Sequence, residues 1–191
     1  MSDRLYLSCR LQNFTAASLL RHFETCLSVF PFSKLAQRGP VLRVYAVEHA
    51  EPPAFEREFP LAAQASELIT VAREFFEDDC AIELDAFWDL WQFDTEWRLK
   101  PVPVTFTAFG PDFEGAELNH IRADLGLDAT FLPDLSIEGS LRMGESNLRS
   151  LLHFVGELER AIPLESRRLW SESGSSFAGT LVESLGRFEV N

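Results

Sequence analysis

The chain has 191 residues, and its 30 acidic and 17 basic residues give a formal net charge of −13 at pH 7. Apolar residues make up 46% of the sequence and charged residues 25%, as in a globular protein and unlike a disordered or collagen-like chain. Nucleic acids and anionic membranes attract basic proteins. We therefore expect that this acidic chain binds neither a nucleic acid nor a membrane.

The first quarter of the chain predicts a strand, a helix and a second strand. Residues 4–12 alternate between apolar and polar side chains, which is typical of a half-buried strand. Apolar residues three and four positions apart predict a helix over 15–29, and the Val- and Tyr-rich residues 41–49 predict the next strand. The N-terminal alternation lacks the apolar core of a signal peptide, and no apolar run reaches the roughly 18–20 residues of a membrane span. We therefore expect a cytoplasmic protein.

The middle of the chain predicts one helix and three strands. Three prolines make residues 50–60 a predicted connection. A helix is predicted over 61–77, and strands are predicted over 80–93, 97–109 and 119–131. In the last of these, alternation assigns six residues to the core: Ile121, Ala123, Leu125, Leu127, Ala129 and Phe131.

The last third predicts a loop over 133–144, a helix over 146–162 and a short helix near 177–186. The resulting order, β-α-β-α-β-β-β-α-α, does not alternate regularly enough for a parallel sheet. It favours a single α+β domain over residues 1–191, with a mixed or mainly antiparallel sheet of about five strands and helices packed on one face. A ferredoxin-like core is one skeleton of this kind.

Motifs for metal, cofactor or nucleophile chemistry are missing from the sequence. The four histidines are scattered, and the three cysteines (Cys9, Cys26 and Cys80) are widely spaced among apolar neighbours. No ligand pair has the spacing of a zinc site, and no phosphate-binding loop or nucleophile elbow occurs. We expect no cofactor, no metal, and cysteines that are reduced core residues.

One strand face stands out as a candidate binding surface. In the strand predicted over 80–93, one face is apolar and the other combines acids with aromatic rings, and a tryptophan follows the strand. The strand predicted over 119–131 brings a histidine, an arginine and two carboxylates, Asp124 and Asp128, to the same face if the two strands are close. The candidate binding residues are Glu83, Asp85, Asp89, Trp91, Phe93, Trp97, His120, Arg122 and Asp124.

Two functions are open for this surface. The first is a non-enzymatic protein–protein interaction module, whose partner is a basic protein or a second copy of the chain. The alternative is a small-ligand-binding protein or an enzyme that uses the carboxylate, histidine and arginine side chains for binding or acid–base chemistry. Side chains that converge in a cleft favour the alternative, whereas a flat hydrated face favours the interaction module.

Overall fold

The computed structural model describes residues 3–114, 119–134, 136–173 and 176–186. The strands are β1 (Arg4–Leu11), β2 (Val41–Ala46), β3 (Phe55–Glu58), β4 (Cys80–Phe93), β5 (Trp97–Phe109), β6 (Ile121–Leu127) and β7 (Leu164–Ser171). The helices are α1 (Ala16–Val29), α2 (Ala65–Arg73), α3 (Ser140–Ala161) and α4 (Phe177–Gly186). All seven strands form one antiparallel sheet in the order β3-β2-β4-β5-β6-β1-β7, so the α+β class with an antiparallel sheet is confirmed.

The strand count of about five is wrong, because both edge strands escaped prediction. β3 lies within the proline-containing segment 50–60, and β7 directly follows α3. Both carry mostly exposed, polar side chains and lack the apolar alternation by which a half-buried strand is recognised. The structure does not confirm a ferredoxin-like core, since three strands separate β1 from β2 in the sheet.

The strand predicted over 119–131 is too long. Gly126 has a φ of 84°, and the pairing of β1 with β6 shifts register between Tyr6↔Asp124 and Arg4↔Leu127. This irregularity turns Leu127 to solvent, and residues 128–130 form a 3-10 helix. Asp128 is buried there and accepts a hydrogen bond from the backbone N–H of Asp3, so it does not belong to the candidate surface.

The helices differ from their predicted bounds mainly at their ends. Thr15 caps α1 through a reciprocal pair of hydrogen bonds with Ser18, each 3.1 Å, which explains why that prediction is confirmed. α2 is shorter than predicted. α3 begins six residues earlier than predicted, because Gly139 adopts a left-handed φ of 79° and turns the chain into the helix.

The main core lies between one face of the sheet and helices α1, α2 and α3. The alternate β4 residues Ile82, Leu84 and Trp88 point into this core, as predicted. The three cysteines are buried free thiols, and burial raises the pKa of Cys9 to about 12. No helix among the described residues is long and apolar enough to cross a membrane. We call the opposite face of the sheet the open face.

Candidate functional site: the open face and the β4–β5 hairpin

Strand register aligns seven polar side chains across the open face, one from each strand. We call this line the polar row. In sheet order it consists of Glu56, Arg43, Glu83, Thr107, Arg122, Ser8 and Arg168. Glu83 and Arg122 therefore share a face, as expected, with the threonine of β5 between them.

One arginine pairs with three acids of strands β3 and β4 at or beside the polar row. Arg43 lies 2.5 Å from a carboxylate oxygen of Glu56, 2.5 Å from Asp85 and 3.3 Å from Glu83. The Thr105 hydroxyl donates a 2.8 Å hydrogen bond to Asp85. Burial and the neighbouring Asp85 raise the pKa of Glu83, while Arg43 and Arg122 oppose that rise. These two acids are thus part of a fixed ion-pair network.

His49 approaches this network from the loop after β2. Its Nε2 lies 3.8 Å from Glu83 Oε2, and its ring packs 4.8 Å from Tyr45 and 4.9 Å from Phe113. Burial and the charge of Arg122 lower the pKa of His49, so the ring is neutral at pH 7. These three rings were absent from the predicted surface. Tyr45 lies on β2, which was not assigned to that surface, whereas His49 and Phe113 lie in loops, where strand alternation does not apply.

The remaining predicted acids and the histidine are engaged in local structure. Asp89 accepts hydrogen bonds from the Ser33 hydroxyl and from the Lys34 backbone N–H, and so holds the loop after α1. Asp124 pairs with Arg4 at 2.7 Å. His120 Nδ1 accepts a 2.9 Å hydrogen bond from the Leu11 N–H, and its ring stacks on Phe14 at 3.7 Å. Side chains committed in this way are poor candidates for acid–base catalysis.

The aromatic residues lie farther along the hairpin formed by β4 and β5. Trp91 pairs with Leu99, and Phe93 pairs with Trp97 at a ring separation of 5.4 Å. Together with residues of and after β6 they form a cleft of about 210 Å³, which we call the aromatic cleft. Its main apolar walls are Trp91, Phe93, Trp97, Leu127, Leu132 and Ile137.

Two contacts from α3 and the turn before it hold the aromatic cleft in shape. The Asn147 side chain accepts a 2.9 Å hydrogen bond from Trp91 N–H and donates to the carbonyls of Trp91 (2.9 Å) and Thr130 (2.8 Å). Trp97 Nε1 donates to the Glu138 carbonyl at 2.8 Å. Both tryptophans are therefore anchored through polar bonds while part of each ring faces the cleft.

Acidic groups surround the aromatic cleft. Hydrogen bonds from the Ser136 hydroxyl and backbone N–H lower the pKa of Asp134, which is charged at neutral pH. Neither Asp134 nor Glu138 forms an ion pair within the described ranges. At the hairpin tip Glu96 pairs with Arg98, and Asp94 lies 3.9 Å from Lys100. The rim is net negative.

Comparison with protein-family models, curated proteins and solved structures finds no match for this chain. Among the described residues, no group of three His, Cys, Asp or Glu side chains is arranged to hold a metal ion.

Proposed function

We propose that the protein is a non-enzymatic binding module whose aromatic cleft receives an apolar side chain of a basic protein partner. The observation that carries this proposal is the exposure of large apolar groups around one cleft: Phe93 is 44% exposed and Leu127 is 47% exposed. Exposed apolar groups that cluster at one place are typical of interaction sites, whereas scattered ones need no explanation.

The size of the cleft favours a protein side chain over a free small molecule. Its volume of about 210 Å³ lies below the range of about 300–1,000 Å³ that is usual for small-molecule pockets. Aromatic residues that line a small pocket are, in contrast, the usual centre of a protein interface. The occupant proposed here is one Leu, Met or Phe side chain.

Charge favours a partner with Lys or Arg beside that side chain. The whole chain carries a net charge of −13, and Asp134 and Glu138 stand at the rim without a basic partner among the described residues. Complementary charge speeds encounter and selects against acidic partners. The proposed ligand is therefore a basic polypeptide segment with an apolar anchor.

Selection from a displayed random-peptide library tests the proposal without knowledge of the natural partner. We expect peptides that combine an apolar anchor with Lys or Arg to be enriched on the wild-type chain. Their affinity should fall at least tenfold, or about 1.4 kcal/mol, in the Phe93→Ser, Leu127→Ser double variant, because apolar contact area is lost. A control is Leu152→Ser, since Leu152 lies on α3 and is 57% exposed.

If the wild-type chain and the double variant bind the selected peptides equally well, the aromatic cleft is not the binding site. A second copy of the chain is the alternative occupant of the cleft. Sedimentation equilibrium tests this alternative by measuring the oligomeric state of the wild-type chain and of the double variant. A wild-type dimer that the double variant abolishes would replace the basic partner with self-association. A wild-type monomer that selects basic peptides through the cleft supports the proposal.

A further inference from the structure

We infer that Arg122, at the centre of the open face, binds the carboxylate group of a ligand as a site separate from the aromatic cleft. Arg122 lies on β6 in the polar row. Glu83 lies in the same row on β4, eight residues before Trp91 of that strand. At 3.3 Å per residue, the polar row lies about 26 Å from Trp91 along β4 and about 17 Å from Leu127, another cleft residue, along β6. The two sites therefore operate on different parts of the sheet.

Arg122 differs from neighbouring arginines because it has no ion-pair partner in the described parts of the chain. Arg4 pairs with Asp124 at 2.7 Å, Arg10 with Glu165 at 2.9 Å and Arg43 with Asp85 at 2.5 Å. Asp124, on the same strand as Arg122, is thus already used. A guanidinium group presents a planar fork of N–H donors that matches a carboxylate, and here that fork has no carboxylate to bind.

Aromatic rings hold the Arg122 guanidinium in place. Its Cζ atom lies 5.1 Å from the centre of the Phe109 ring and 5.9 Å from the centre of the Tyr6 ring. Phe109 is buried, and Tyr6 is itself stacked on Trp170 at 4.8 Å. Stacking restricts the motion of the guanidinium and so reduces the entropy lost when a ligand binds.

Hydroxyl groups flank Arg122 on both neighbouring strands. Thr107 on β5 and Ser8 on β1 are its register partners, and both residues are buried. The Thr107 hydroxyl has no hydrogen-bond partner among the residues described. The Ser8 oxygen accepts a 3.0 Å bond from Trp170 Nε1, which leaves its O–H free to donate. Both hydroxyls can therefore assist Arg122 in binding an anion.

The surroundings select a singly charged anion. Glu83 stands two strands away in the polar row, close enough that Arg122 lowers its pKa, while Asp85 and Asp124 lie one row farther along the sheet. Arg122 contributes a single positive charge and so matches one carboxylate, whereas a phosphate dianion would keep a second negative charge near Glu83 and Asp85, which share the one guanidinium group of Arg43. The chemistry therefore favours a carboxylate, which belongs either to a small organic acid or to the end of a polypeptide.

Titration followed by NMR tests this site on the whole chain. The Nε–H signal of Arg122, assigned by its absence in Arg122→Gln, is recorded as acetate, benzoate or phosphate is added. We expect a saturable shift with a carboxylate and weaker binding of phosphate. Arg122→Lys keeps the charge but loses the fork. Followed through the backbone N–H signals of Ser8 and Thr107 in both proteins, it should bind at least roughly tenfold more weakly than the wild type. Arg38→Gln is the control, because exposed Arg38 also lies over a ring, that of Phe87 at 5.4 Å.

A second pair of ligands identifies the source of the carboxylate. A short peptide with a free C-terminus is compared with the same peptide as its amide. Saturation by acetate or benzoate supports a small organic acid, whereas saturation only by the free-acid peptide supports a polypeptide end. Shifts that do not saturate with any carboxylate, or tighter binding of phosphate, would overturn the inference. The Phe93→Ser, Leu127→Ser double variant should bind carboxylate normally, so this proposal and the proposed function fail separately.

Discussion

At the scale of single residues, Asn147 takes the place of a neighbouring strand beside Trp91. β2 pairs with β4 only as far as Asp85, so the Trp91 backbone beyond that point meets a side chain in place of a strand. Asn147 is buried, and its amide satisfies one N–H and two carbonyl groups. The same three hydrogen bonds of Asn147 therefore stabilise the protein and fix the wall of the aromatic cleft.

Replacement of Asn147 should therefore be costly. We expect Asn147→Ala to lower the free energy of unfolding in urea by about 2–4 kcal/mol, because buried backbone groups lose their partners. The neighbouring exposed Ser146 provides the control, and Ser146→Ala should change stability by less than about 0.5 kcal/mol. A loss below about 1 kcal/mol for Asn147→Ala would mean that water replaces the amide.

At the scale of elements, the irregularity at Gly126 decides which β6 side chains are buried. Leu125 is fully buried, whereas Leu127, which strict alternation assigns to the same face, is exposed. We expect Leu125→Ala to lower the free energy of unfolding by about 2–5 kcal/mol and Leu127→Ala by less than about 0.5 kcal/mol. If urea unfolding shows a similar loss of unfolding free energy in the two variants, β6 continues in regular register past Gly126.

The elements that were predicted well are those with a strong apolar pattern. β4 and β5 have the bounds expected from the sequence, and α1 differs from its predicted range by one residue. β3 and β7 were missed because an edge strand exposes most of its side chains, so its sequence resembles a loop. The register shift at Gly126 was missed because it depends on a positive φ, which apolar periodicity does not report.

At the scale of the whole molecule, the summed charge is a poor guide to the local charge on the open face. Residues 51–100 hold 13 acidic and 4 basic residues, which predicts one continuous acidic and aromatic surface. In the fold Arg43 comes from another strand and pairs with Glu83 and Asp85, while Asp89 binds a loop. The surface divides into a compensated polar row and a separate aromatic cleft, a division that depends on contacts distant in sequence.

The pH dependence of folding is a further property of the whole molecule. Burial lowers the pKa of His22, His49 and His120 below the usual value of about 6.5, so each of them stabilises the fold fully only above that pH. This stability is lost as the pH falls through the lowered pKa values. Glu83 has a raised pKa, so its effect on stability has the opposite pH dependence. Its contribution to the free energy of unfolding is largest below about pH 4.5 and is lost as the pH rises through the raised pKa.

His120 should account for a measurable part of the loss in acid. Its Nδ1 accepts the Leu11 N–H bond only when that nitrogen is unprotonated, so protonation breaks the contact between β1 and the start of β6. We expect the free energy of unfolding in urea to fall between about pH 7 and pH 5.5, and to fall less steeply in His120→Gln. Exposed His153 on α3 supplies the control, because His153→Gln should leave the slope unchanged. An unaltered slope in His120→Gln would place the acid sensitivity at His22 or His49, and would show that the bond to Leu11 survives protonation of the ring.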